Sequence, residues 1–505
     1  MLAVGCQPEA KPARSRGPVA QADVKDALFN SVVENLDRLE EFDISQMMPQ
    51  ICDRLNQWHL QEKPSVEWRP DPLIEQLPSE LRELRVMKTL DHVQYRIPDA
   101  WYLQETVWLR DVSRGARGDQ FDDVAVAERL FDWTIRNVQL EPDVDPATAA
   151  NRHRPFETLL LGRGDAQERA WVFILLARQQ GLDVVQLAID EGEGKPPRPW
   201  LPALLSGGEL YLFDTRLGLP IPAADGRGIA TLAQVAADPE LLRRLDLDAE
   251  HPYPVQPDDL QHVVALVEAS PQSLSRRMAL VESRLAGERK MVLTSPGSEL
   301  AERVKKVPHV TGARLWARPF DIWLWQSKLT QVEALAAARE MSVFQAMPSL
   351  MTGRALYFKG VYEGDKGAKV NLMNSRLDDR SIEDFRLPEE IARQIRREEI
   401  SQQEAARIVM LRHAKQDASF WLGLVCFEQE QYPAAVDFFA KRTLEATPDG
   451  PWTPSARYNL ARTYEALGRT DEAIALYEAD DSPQSHGNKL RARRLRDGAA
   501  QAAAE

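Results

Sequence analysis

Two stretches near the C-terminus repeat one another, and this repetition limits the fold of the chain more than any other feature. The first runs Trp421-Leu-Gly-Leu-Val-Cys-Phe and resumes at Tyr432-Pro-Ala-Ala-Val-Asp-Phe-Phe439. The second runs Tyr458-Asn-Leu-Ala-Arg-Thr-Tyr464, passes Leu467-Gly468 and resumes at Asp471-Glu-Ala-Ile-Ala-Leu-Tyr477. Gly423 corresponds to Ala461, Ala435 to Ala473 and Phe439 to Tyr477, each at an offset of 38 residues. Small side chains let two antiparallel helices approach closely, and the aromatic fills the gap between neighbouring pairs. Each hairpin then leaves an apolar face that the next must cover, so the pattern implies stacked helices.

This pattern resembles the tetratricopeptide repeat, whose ordinary period is about 34 residues. The extra length fits the loop Thr447-Pro-Asp-Gly-Pro-Trp-Thr-Pro454. The resemblance implies an all-α array whose concave surface binds a peptide or protein partner. The alternative is a solenoid that only packs on the rest of the chain. Arrays normally need at least three units. Candidates for degenerate earlier units are Leu356–Arg376, with Gly360, Gly364 and Ala368, and the helices of 388–415. From Gly487 the chain is rich in Arg and then Ala, which reads as a fraying helix.

At 505 residues the chain has room for about three domains. With 44% hydrophobic and 28% charged residues it can bury sizeable cores. A net charge of −14 argues against nucleic acid as a partner, because phosphate binding needs a basic face. Cys6, Cys52 and Cys426 are far apart, which excludes a disulfide scaffold and the common zinc spacings. No HExxH or phosphate-loop order occurs: Gly360 to Lys366 lacks Gly-Lys-Ser/Thr, and Gly162-x-Gly164 lacks a third glycine. No metal or cofactor is expected.

Apolar positions at helical spacing predict helices over 21–47, 44–60, 99–112 and 124–138. A connection rich in Pro, Asp and Arg follows over 139–165, with His153 expected at its surface. Next come an apolar helix over 166–181 and a short β-branched run over 184–189. Two further apolar runs, 200–205 and 210–213, flank Gly207-Gly208 and read as a β-hairpin. His251-Pro-Tyr-Pro-Val-Gln-Pro257 reads as an interdomain linker, and beyond it helical periodicity dominates, as in 260–269, 273–285 and 329–342.

The segment Gly164-Asp-Ala-Gln-Glu-Arg-Ala-Trp-Val-Phe-Ile-Leu-Leu-Ala-Arg-Gln-Gln-Gly181 resembles the nucleophile helix of the transglutaminase-like superfamily. Ala170, Phe173, Leu176, Arg178 and Gly181 stand at that family's helix positions. Trp200 stands at the tryptophan of its His-x-Trp strand, and Asp214 at its aspartate. The approach also resembles the family's, with Phe131-Asp-Trp133, Asn137 and Pro155-Phe-Glu-Thr-Leu159, so the likeness covers about 120–220. It implies an α+β, papain-like core. The departures decide the expected function. Ala166 replaces the catalytic cysteine and Arg198 the histidine, so only Asp214 of the triad remains. Acyl transfer needs a thiolate beside a base that can take up and return a proton. A methyl group cannot attack a carbonyl, and a guanidinium has no lone pair to offer. Asp214 is then expected to serve as a structural acceptor, and an Arg198–Asp214 ion pair lining a residual cleft is the lesser alternative. Asp165 and Glu168 at the helix start could form an acid pair, but carboxylates are favoured there by the helix dipole alone, so a structural role is expected.

Met1-Leu2-Ala3-Val4-Gly5-Cys6 resembles the end of a bacterial lipoprotein signal, which implies lipid on Cys6 and a cell-envelope, membrane-anchored location. The expected organisation is a tether over 1–20, a helical region over 21–119, the transglutaminase-like domain over 120–250, connecting helices over 257–345, repeats over 346–486 and a tail over 487–505. The expected function is a non-catalytic binding or scaffold protein. The alternative is a hydrolase or amidase with a site rebuilt around Asp214, Glu168 or His153.

Overall fold

The computed structural model describes residues 26–504 apart from 43, 144–151, 193, 227 and 378–387. The expected tether and Cys6 lie outside the described residues. The fold is a mostly helical α+β arrangement with a mixed six-stranded sheet and a C-terminal region of packed helices.

The sheet consists of β1 (Asp183–Ile189), β2 (Arg198–Ser206), β3 (Glu209–Asp214), β4 (Leu219–Pro220), β5 (Val263–Val267) and β6 (Val310–Leu315), in the order β4-β3-β2-β1-β5-β6. All neighbours are antiparallel except β5 and β6. The expected hairpin joins β2 to β3. Gly207 and Gly208 sit at φ +59° and +83°, the two positive angles that a two-residue turn matching strand twist requires. Side chains alternate across the sheet. Val184, Ala188, Leu204, Phe213, Val264 and Leu266 enter one core, while Val185, Leu187, Leu201, Leu210, Leu212 and Ala265 enter another.

β5 and β6 correct the helical reading of 257–269 and add the middle segment to the sheet. Val263-Val-Ala-Leu-Val267 is buried at every position. A strand covered on both faces has no polar face and no two-residue period, so its apolar run cannot be told from a buried helix. The linker reading of 251–257 also fails, because Tyr253 and Val255 are core residues. The connection over 139–165 is structured as well. Gln139–Leu140 pairs in parallel with Arg163–Gly164, and Pro155–Leu161 is helical.

Three helices pack on the first sheet face: α1 (Ile97–Arg117), α2 (Asp123–Asn137) and α3 (Ala166–Gln179). The N-terminal helices Ala27–Asp37 and Ile44–Glu62 form a further core with α1. C-terminally come α4 (Gln402–Glu428), α5 (Tyr432–Val436) continued by a π-helical stretch over Asp437–Glu445, α6 (Thr453–Ala466), α7 (Thr470–Glu478) and α8 (Ser485–Ala504). Gly423 packs directly under the ring of Phe439, as expected for the small-residue position. The repeat helices share one continuous core with α1, α2 and α3. α8 is packed rather than frayed: Leu490 and Ala492 are buried.

Candidate functional site

The N-terminus of α3 is where a degenerate catalytic centre is expected from the resemblance. Asp165 caps the helix: its carboxylate accepts the Glu168 N–H at 2.8 Å, and the Glu168 carboxylate accepts the Asp165 N–H at 3.1 Å. This reciprocal cap satisfies two donors that the first helical turn leaves free. Ala166, the first residue of the helix, is buried, and its carbonyl accepts the Thr215 hydroxyl at 2.8 Å. The turn after β3 therefore lies directly against the helix start, so the structure brings Ala166 and the Asp214 turn together.

Asp214 is consumed by that turn. One oxygen accepts the N–H groups of Arg216 and Leu217, both at 2.9 Å. The other accepts the Tyr253 hydroxyl at 2.6 Å, and the Tyr253 oxygen in turn accepts the Trp200 indole N–H at 2.8 Å. Burial pushes the Asp214 carboxyl up, and the Tyr253 hydrogen bond opposes this. Tyr253 thus takes up the second Asp214 oxygen. The sequence offered only the signal of an aromatic between two prolines.

Arg198 lies at the start of β2 and pairs with Glu191 at 3.1 Å and Asp259 at 3.2 Å. Both ion-pair partners are acidic side chains other than Asp214, so the alternative of an Arg198–Asp214 ion pair is not realised. Of the three expected positions, two meet and the third faces elsewhere.

A different set of groups converges on the other side of the helix start. His153, expected at the surface, is buried. Its backbone N–H donates to Glu168 at 2.7 Å, and its ring Nε2 lies 2.9 Å from Glu340. Arg318 donates to Asp165 at 2.8 Å and to Glu168 at 3.0 Å, and Arg163 pairs with Glu340 at 3.1 Å. Burial alone would lower the His153 pKa, but the carboxylates of Glu168 and Glu340 outweigh it and raise it to about 10. Burial would raise the Glu168 pKa, but His153 and Arg318 hold it below the usual range. A cleft of about 290 Å³ lies beside this cluster, walled by Glu157, Trp325, Leu329 and Met341. An imidazole held cationic at neutral pH is a structural ion-pair partner and a poor base.

This arrangement sets a pH dependence. The folded His153 pKa lies above its ordinary value of about 6.5, so its stabilising contribution is complete below that pH and fades as pH rises towards 10. The stability difference between wild type and His153→Gln, measured by urea unfolding, should shrink by more than about 1 kcal/mol between pH 6.5 and 9.5. A difference constant across that range would contradict the assignment.

The repeat region lies against the central unit through charged groups. Arg136 on α2 pairs with Asp132 and with Glu428 on α4. Arg462 on α6 reaches Asp132, and Asn459 on α6 donates to the Arg136 carbonyl at 3.0 Å. On α8, His486 contacts the Leu245 carbonyl at 2.7 Å and Arg493 donates to that of Asp246 at 2.8 Å. One face of α6 is therefore occupied within the chain.

Among the described residues no His, Cys, Asp and Glu group is arranged to hold a metal ion, and no helix is long and apolar enough to cross a membrane. In comparisons with known proteins, residues 416–479 match the tetratricopeptide repeat family, the stretch that carries both segments of the internal repeat. No curated protein and no solved structure matches the chain.

Proposed function

We propose that this protein is a non-catalytic binding or scaffold protein, built on a transglutaminase-like unit without a nucleophile and carrying a tetratricopeptide region that engages a protein or peptide partner. The tetratricopeptide match at 416–479 carries the interaction half of this reading, since such repeats suggest protein–protein interaction. The absence of catalysis is supported by the chemistry at the helix start. Ala166 presents a methyl group, Arg198 is paired with Glu191 and Asp259, and Asp214 is committed to Tyr253 and its own turn. With one face of α6 packed on α2, the partner engages the outer surfaces of the array. A groove of about 790 Å³ between the helix Gln331–Ala346 and the first half of α4, lined by Val343, Met347, Met410 and Leu411, adjoins the array.

The convergence of His153 and Glu168 favours a second reading, a hydrolase or amidase with a rebuilt site. A single assay separates the two: purified full-length protein should show no multiple turnover of labelled amide or glutamine-containing peptides. Turnover lost in His153→Gln or Glu168→Gln, with folding retained, would establish the second reading. Lipid on Cys6, tethering the protein to the cell envelope, completes the proposal; Cys6→Ser should then move the protein out of the membrane fraction, and an unchanged distribution would remove this part.

A further inference from the structure

A cleft of about 230 Å³ that the proposed function does not use lies where α1 begins. Two polar side chains in its wall are buried and incompletely partnered. Arg277 is 4% exposed. Its Nε donates to Asp99 at 2.7 Å and its Nη1 to the Thr89 carbonyl at 3.1 Å, which fixes the guanidinium. Its Nη2 has no hydrogen-bond partner among the described residues. Gln272 is 5% exposed, and its side-chain amide has no partner among the described residues either. Burying such groups without a partner is costly, and a ligand in the cleft would supply what they lack.

Charge specifies the ligand. Arg85 and Arg96 stand exposed at the rim, and among the described residues neither is in an ion pair. A further cation, Arg154, lies over the ring of Trp323, which walls the cleft, at 5.0 Å. The one carboxylate in the lining, Asp99, is already committed. One oxygen takes the Arg277 Nε–H and the other the Arg96 backbone N–H at 2.9 Å. Glu105 lines the narrow recess next to the cleft, but burial lifts its carboxyl to about 8, so it carries little charge at neutral pH. The positive end of the α1 dipole points the same way. In a chain of net charge −14 this cleft is a local excess of cations, and it favours an anion.

Shape narrows the choice. The remaining walls are largely apolar: Leu84, Val86, Pro98 and the ring of Trp323. A bare inorganic anion would leave them facing water. A cavity of about 150 Å³ holds a benzene ring. A volume of about 230 Å³ therefore takes such a ring together with one carboxylate. The two fixed donors, Arg277 Nη2 and the Gln272 amide, offer one hydrogen bond for each oxygen of that group.

We infer that the cleft between Arg277, Gln272 and Trp323 binds a carboxylate carried on a compact apolar body of about the size of one ring, with Arg277 and Gln272 as the donors and Arg85 and Arg96 as the attracting charges. This site is independent of any partner of the repeat region. The test is calorimetric titration of the full-length protein at low salt with benzoate and with Nα-acetyl-phenylalanine, using benzyl alcohol, benzylammonium and inorganic phosphate as controls. Saturable binding of benzoate alone assigns a free acid. Binding of Nα-acetyl-phenylalanine, lost in its amide, assigns the end of a peptide chain. The double substitution Arg85→Gln, Arg96→Gln removes two exposed charges, so it should weaken binding about tenfold while leaving the unfolding midpoint unchanged. Gln272→Met, close in volume, should weaken it several-fold. The inference is overturned if neither carboxylate binds better than benzyl alcohol, if phosphate or benzylammonium binds as well, or if the folded double variant binds as wild type does.

Discussion

Arg136→Ala is expected to lower the unfolding free energy by about 3–5 kcal/mol, the range for breaking a buried ion pair from one side. The Arg136 side chain is 7% exposed and lies between Asp132 and Glu428. Its guanidinium also sits 4.7 Å over the Phe427 ring. Truncation leaves a cavity and removes the main cation facing Glu428. Asp132 retains Arg462, so the loss falls most heavily on α4. Asp132 and Arg136 belong to α2 while Glu428 and Arg462 belong to the repeat region. The same change should therefore raise hydrogen exchange in α4 and α6 before it does so in the sheet. Urea unfolding with exchange mass spectrometry checks both parts. A cost below about 1 kcal/mol would mean that the pair is solvated and contributes little.

Gly487→Ala is expected to destabilise by about 1–3 kcal/mol, although glycine to alanine inside a helix ordinarily stabilises by about 0.5–1 kcal/mol. The reason is steric. α8 crosses the turn after β3 so closely that a Cβ at Gly487 would overlap the Leu217 carbonyl oxygen and carbon. Backbone atoms cannot swing aside as a side-chain tip can, so either α8 lifts or the Asp214 turn shifts. Gly498 supplies the control in the same helix, since a Cβ there meets nothing within 4 Å. Gly498→Ala should stabilise slightly while Gly487→Ala destabilises. If both substitutions shift the unfolding midpoint in the same direction, α8 is not seated on that turn.

Both effects depend on contacts between parts of the chain far apart in sequence, and this marks the division between what could be read early and what could not. The amino-acid order determined the local elements. Paired glycines between apolar runs specify the β2–β3 hairpin, and Asp165 with Glu168 three residues later specifies the start of α3. Small residues and aromatics at a constant offset specify the helical hairpins of 416–479. Each of these signals lies within a few turns of chain, where spacing alone decides which side chains share a face.

The tertiary structure decided the rest. Tyr253, between two prolines, read as a linker residue until the fold placed its hydroxyl on Asp214. His153, in a polar stretch, became a buried cation because Glu340, far along the chain, covers it. Val263–Val267 became a strand because both its faces are covered, which erases the period that would have identified it. Burial and partners at long range are properties of the assembled core, and no local pattern encodes them. For that reason the sequence determined the hairpin and the repeat helices, while only the fold decided which buried charges meet.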